Sequence, residues 1–197
     1  MARERARRPE AKALRLFVAF EVPDEAKRAV ADAIAPLRER FPKARWAPPE
    51  NQHVTLKFLG QTWPRLQTWV QERLEEAASA SAPFDVRLDR LGAFPSANRA
   101  RVVWAGLADE PPGTTATVAA AVDLGLAKEF TPEKRAFSAH LTVARSDPPL
   151  ALSDADLAAP IEPVSWRVDR VVLFRSHLQR PAPRYEPLRV FPLGLHG

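Results

Sequence analysis

Cysteine is absent from the 197-residue chain. Disulfides and thiolate metal sites are therefore excluded, and a reducing cytoplasm is the natural compartment. Long hydrophobic runs are missing too: nothing approaches the ~20 apolar residues of a membrane-spanning helix, so no membrane partner is expected. Residues 1–13 carry Arg3, Arg5, Arg7 and Arg8 but no hydrophobic stretch, and they read as a basic flexible arm rather than a secretory signal. No Gly-x-Ser-x-Gly elbow supports a serine nucleophile, and no P-loop is present to cradle phosphates. What remains is ordinary for a globular protein, with 46% hydrophobic and 27% charged residues. The formal charge of +5 and a pI near 10.1 favour an anionic partner, such as RNA or a phosphorylated small molecule.

Histidine is also scarce, with four in the chain, and two of them recur in one context. His53-Val-Thr-Leu-Lys-Phe-Leu-Gly alternates as a β-strand closed by Gly60. Alternation puts His53 and Thr55 on one face, with Lys57 next along it. The pattern returns 87 positions later as His140-Leu-Thr-Val-Ala-Arg, where His140 and Thr142 share a face. On a regular strand Arg145 would point away from His140, so its use at the same site requires a strand end or a bulge. His177 and His196 lie outside these repeats and read as exposed and unrelated to chemistry.

Taken in order, Leu14 to Val22 reads as a buried strand and Asp24 caps a helix to about Phe41, which Pro36 should kink or split. Arg45-Trp46-Ala47 is a short extended piece before the first His-x-Thr strand. Thr62 caps a second helix that ends at Ser79 to Pro83. Strands follow at Phe84 to Leu91 and Arg101 to Leu107, separated by a Gly92 to Ala100 loop. The Ala-rich segment from Thr114 to Phe130 is a third helix, leading to the second His-x-Thr strand and a Ser146 to Pro149 loop. A short helix with Ser153 as cap, a long strand Val164 to Phe174 and an edge strand Tyr185 to Phe191 complete the chain. The first strand residue Leu16 lies 37 positions before His53, and Val102 lies 38 before His140. Each half is strand, helix, His-x-Thr strand, which suits a pseudo-twofold pair of lobes facing one cleft.

Two imidazoles that titrate near neutrality can act as one acid and one base on opposite sides of a phosphodiester. Neighbouring hydroxyls can donate to the non-bridging oxygens that carry charge in the transition state. Neither motif holds a carboxylate and Thr is a poor zinc ligand, so no metal and no cofactor is expected.

These residues resemble the paired signatures of the 2H phosphoesterase superfamily, and more closely the bacterial and archaeal RNA 2′,3′-cyclic phosphodiesterases long called 2′-5′ RNA ligases. The resemblance covers roughly residues 15–193 and extends to Arg45-Trp-Ala-Pro-Pro-Glu-Asn, Leu91-Gly-Ala-Phe-Pro and Arg101-Val-Val-Trp-Ala-Gly. It implies an α+β fold of two pseudo-symmetric lobes over 14–197, with antiparallel β-sheets around a central cleft and helices outside. It implies hydrolysis of a terminal 2′,3′-cyclic phosphate to a 2′-phosphate and free 3′-hydroxyl, with weak 2′-5′ ligase activity besides. His53 would be the proton donor, His140 the acceptor, and Thr55 and Thr142 would hold the phosphate oxygens. Lys57 and Arg145 would add cationic contacts, Arg145 being structural if no strand end or bulge turns it, while Trp46 and Phe94 either stack on a base or plug the lobe edges, the second being the preferred reading. The partner expected from the resemblance is RNA with a 2′,3′-cyclic phosphate end or a related cyclic nucleotide, met by a monomer. The competing readings are a non-catalytic RNA- or nucleotide-binding module and a 2H enzyme acting on a small cyclic nucleotide.

Overall fold

The computed structural model describes residues 12–194, so most of the basic arm and His196 lie outside it. Strand β1 (Leu14–Glu21) is apolar on both faces because it is paired on both edges and covered on both sides. Leu16, Val18 and Phe20 join the main core, and Phe17 and Ala19 join a small apolar cluster on the other face. Helix α1 (Asp24–Arg40) presents Ala26, Ala29, Val30, Ile34 and Leu37 to that core. Pro23 occupies the cap position, and Asp24 sits in the first turn, where it accepts from Lys27 at 3.2 Å. Pro36 neither ends nor divides the helix. It removes one backbone donor, but Ile34 and Leu37 are buried on either side of it and hold both turns against the sheet.

Strand β2 (Arg45–Trp46) leads to β3 (His53–Thr62), which passes through Gly60 at φ +64° instead of stopping there. Thr62 is buried and paired with Leu14, so it does not cap a helix; a single 3-10 turn at Pro64–Leu66 precedes α2 (Gln67–Ser79). Strands β4 (Phe84–Phe94) and β5 (Ala100–Glu110) form a long hairpin that absorbs part of the expected loop. Helix α3 (Thr114–Leu126) starts where the Asp109 carboxylate accepts from the Gly113 and Thr115 amides. Strand β6 (His140–Leu150) runs through the expected Ser146 to Pro149 loop. The predicted capping box at Ser153 and Asp156 opens the one-turn α4 (Asp154–Leu157). The run from Val164 to Phe174 is two strands, β7 (Ser165–Val168) and β8 (Arg170–His177), and β9 (Arg184–Pro192) lies at the edge.

All pairings are antiparallel, in the order β7-β4-β5-β6-β3-β1-β8-β9, with β2 added to β6. The order reads outward in both directions from the β6–β3 seam, where the ladder is a single pair, Val54 with Leu141. Four strands of this path therefore belong to each lobe, and β2 is a ninth, added to the edge of β6. The break at Asp169 lets one apolar run serve both: β7 pairs with β4 in one lobe and β8 with β1 in the other. One core cluster on the helix side draws on both lobes, including Val54 and Leu141 at the seam. The opposite face of the sheet is the groove.

Candidate active site

Val54 and Leu141 are directly opposed and point into the core. Residues one position away on each strand must point the other way. His53, Thr55, His140 and Thr142 therefore share the groove face across the seam, and all four are half-buried. The structure brings together the four residues that the two motifs nominate.

Each imidazole is held in the same way. His53 Nδ1 lies 2.8 Å from the Asn51 carbonyl and His140 Nδ1 lies 2.7 Å from the Ser138 carbonyl. A carbonyl only accepts, so each Nδ1 carries the proton and each Nε2 is left for chemistry. The surroundings differ. His53 packs on Phe17 (ring centroids 4.7 Å apart), edge-on to Tyr185 (5.1 Å) and near Phe174 (6.3 Å). Burial in this aromatic nest pushes the His53 pKa down to about 4, against the Asn51 carbonyl, which favours the charged ring; the positive Arg145 lowers it further. His140 has a looser pair of neighbours, Phe94 edge-on at 5.4 Å and Trp104 at 6.2 Å.

Both motif strands carry a β-bulge at the same offset. Val18 pairs with Lys57 but Ala19 with Thr55, so Leu56 is the extra residue. Val103 pairs with Ala144 but Trp104 with Thr142, so Val143 is the extra residue. Each is the third residue after its histidine. A bulge reverses the phase of everything beyond it. Arg145 is turned onto the His140 and Thr142 face, where its charge reaches His53 and Tyr185. The parity difficulty for Arg145 is resolved in this way.

The same bulge corrects the reading of Lys57. Regular alternation would put it beside Thr55, but Leu56 and Lys57 are consecutive buried residues. The Lys57 ammonium lies under the sheet, ion-paired with Asp123 of α3 and donating to the Thr131 carbonyl at 3.1 Å. It cannot touch a substrate in the groove. Phe58, which regular alternation would put on the face opposite His53, takes the groove position instead and is 63% exposed.

Of the two readings of Trp46, stacking on a base or filling a lobe edge, the structure supports the second. Trp46 pairs with Ala144, packs on the main core and donates its indole N–H to the Phe41 carbonyl at 3.1 Å, so its ring is not offered to a base. Phe94 is at the site, beside His140 and 39% exposed. Trp104, Tyr185 and Phe58 are further groove residues that sequence reasoning did not single out. Gly92, directly opposite Trp104, is the trace of one: a Cβ there would lie 2.1 Å from the indole. The fifth-residue offset shared by Phe58 and Arg145 could have flagged another. His177, read as exposed, is half-buried and bonded to Glu186 at 2.6 Å. Among the described residues no group of three or more His, Asp or Glu side chains stands together to hold a metal ion.

The sequence pattern of the 2′-5′ RNA ligase superfamily matches residues 22–180. An Archaeoglobus fulgidus protein named RNA 2′,3′-cyclic phosphodiesterase is 33% identical over 184 residues, covering 90% of this chain and 99% of its own. A Geobacillus stearothermophilus protein of the same name is 29% identical over 183 residues, where this chain spans only 56% of the relative's length. Among solved structures, a Thermus thermophilus protein superposes with a TM-score of 0.80 at 28% identity, covering 93% of this chain and 100% of that one. Escherichia coli LigT complexed with 3′-AMP superposes with a TM-score of 0.71 at 26% identity, covering 92% and 99%. With its two-lobed antiparallel sheet and helices on one side, this chain belongs to the 2′-5′ RNA ligase superfamily.

Proposed function

We propose that this protein is an RNA 2′,3′-cyclic phosphodiesterase that opens a terminal cyclic phosphate to a 2′-phosphomonoester and a free 3′-hydroxyl. The observation that carries the reading is the matched pair of imidazoles: adjacent strands, one face, each Nδ1 tied to the carbonyl two residues back. Two Nε2 atoms then face one groove from different halves of the chain. The names borne by the relatives support the same activity.

In the reaction His140 Nε2 accepts a proton from water as the water oxygen bonds to phosphorus. His53 Nε2 gives a proton to the 3′ oxygen as its bond to phosphorus breaks. Thr55 and Thr142 donate to the non-bridging oxygens, and Arg145 offsets their charge. A 5′-hydroxyl in place of water would instead form a 2′-5′ linkage, the source of weak ligase activity. His53 is neutral in the unliganded protein at neutral pH. The donor therefore takes up its proton as the anionic phosphate arrives, because a nearby negative charge favours imidazolium most strongly where water is excluded. Phe94 and Phe58 offer the apolar faces on which a terminal base can stack.

The test is an oligoribonucleotide ending in 2′,3′-cyclic phosphate, incubated with the protein and a chelator, with the phosphate located in the product by NMR or by phosphatase mapping. Turnover to the 2′-phosphate is expected. His53→Ala and His140→Ala should each lose at least ~10³-fold in kcat with folding retained. Near-normal rates in either variant would remove the paired acid-base scheme.

A further inference from the structure

Strand β2 continues the edge of β6 beyond the point where β3 leaves it. Its two residues pair in register, Arg45 with Arg145 and Trp46 with Ala144. Directly opposed residues share a sheet face. Trp46 and Ala144 are on the core side, so Arg45 lies with Arg145 on the groove side, and both are exposed. Like charges directly opposite one another destabilise an antiparallel pair. Other arginines are also without ion pairs, but these two are directly opposed on one face, and among the described residues neither has a carboxylate within ion-pair distance. Two exposed guanidiniums opposed on the groove face form a positive patch that an anion entering the groove would meet. Guanidinium is the side chain best matched to phosphate.

The two positions are not equivalent. Arg145 is on the strand of His140 and Thr142, and its charge is felt at His53, so it serves the reacting phosphate. Arg45 is one strand away, on β2, paired in register with Arg145. Building on the cyclic-phosphate reading above, we infer that Arg45 binds the phosphodiester on the 5′ side of the terminal nucleotide. The site then recognises chain ends, and a 2′,3′-cyclic mononucleotide, which lacks that phosphate, is the poorer substrate.

The experiment compares a 2′,3′-cyclic mononucleotide with a dinucleotide ending in the same cyclic nucleotide, for the wild-type protein, Arg45→Gln and Arg45→Lys. Wild type should show the lower KM for the dinucleotide. Arg45→Gln should raise the dinucleotide KM about tenfold, leave kcat unchanged, and leave both constants for the mononucleotide unchanged. The slope of log KM against log salt for the dinucleotide should fall by roughly 0.7, the loss of about one phosphate contact on a single strand. Arg45→Lys should recover part of the KM and the salt slope. Thermal melting of Arg45→Gln should be unchanged or slightly raised, since one of two opposed like charges is gone. Equal losses on both substrates, or no loss on either, would overturn the assignment. A wild-type protein that turns over neither substrate would overturn the cyclic-phosphate reading, and this inference with it.

Discussion

At the scale of single residues, the two histidines are the same in tether and different in setting. His53 lies in an aromatic nest and His140 in a more open one. Two consequences can be measured. The first concerns roles: a phosphodiester with a p-nitrophenolate leaving group does not need a proton donor. If His53 is the donor, His53→Ala should keep activity on such a diester within ~10-fold of wild type, while His140→Ala should still lose ~10³-fold. The opposite ranking would exchange the two roles. The second concerns stability. The unfolded imidazole takes a proton below about pH 6.5, but the folded ring does so only near 4. Between those values the unfolded chain binds more protons, so stability falls as pH falls through this window. At pH 5 the cost is about 2 kcal/mol relative to pH 7, and it should be absent in His53→Gln. Urea unfolding of both proteins at pH 7 and pH 5 checks the sign and the size.

At the scale of elements, the bulge three residues after each histidine decides who sits at the site. It brings Phe58 and Arg145 into the groove and sends Lys57 beneath the sheet. Beneath the sheet Lys57 joins the halves of the site. Its ammonium holds Asp123 of α3 and the Thr131 carbonyl, and Asp123 also accepts from the Glu133 amide. The tether on the His53 strand thus fixes the segment that leads to His140. Removing the ammonium leaves Asp123 half-buried and unpaired. Lys57→Met should therefore lower kcat about tenfold with little change in KM, and lower stability by ~1–3 kcal/mol. Because the groups act as a unit, Asp123→Asn should cost far less in the Lys57→Met background than alone, and a double-mutant cycle in kcat and urea measures it. Much at this scale is legible in the sequence. Helix stripes, the Ser153 capping box and the edge position of β9 all depend on neighbours within a few residues. The groove place of Arg145 is legible only as a condition, and the burial of Lys57 not at all. A bulge is chosen by what two strands do together, and either strand read alone simply alternates.

At the scale of the whole molecule, the two lobes are one body with one core, joined at a seam of a single strand pair. Val54 and Leu141 anchor both motif strands in that shared core, and so set the two histidines on one groove face across the seam. Strands β7 and β8 reinforce this, since one run of chain crosses from lobe to lobe at Asp169. Periodicity reads that crossing as one continuous strand, because it reports which residues are apolar and not which partners they find.

The residues nominated for the chemistry are set by the linear order itself. Two His-x-Thr strands at matched distances from two matched first strands leave little choice of site, since short-range alternation already places each hydroxyl beside its imidazole. Tertiary structure alone decided what surrounds them. Whether Lys57 or Phe58 faces the groove, whether Trp46 meets a base or the core, and which imidazole is starved of water all depend on contacts between segments far apart in the chain. Burial and strand pairing are properties of those contacts, and no window of local sequence contains them.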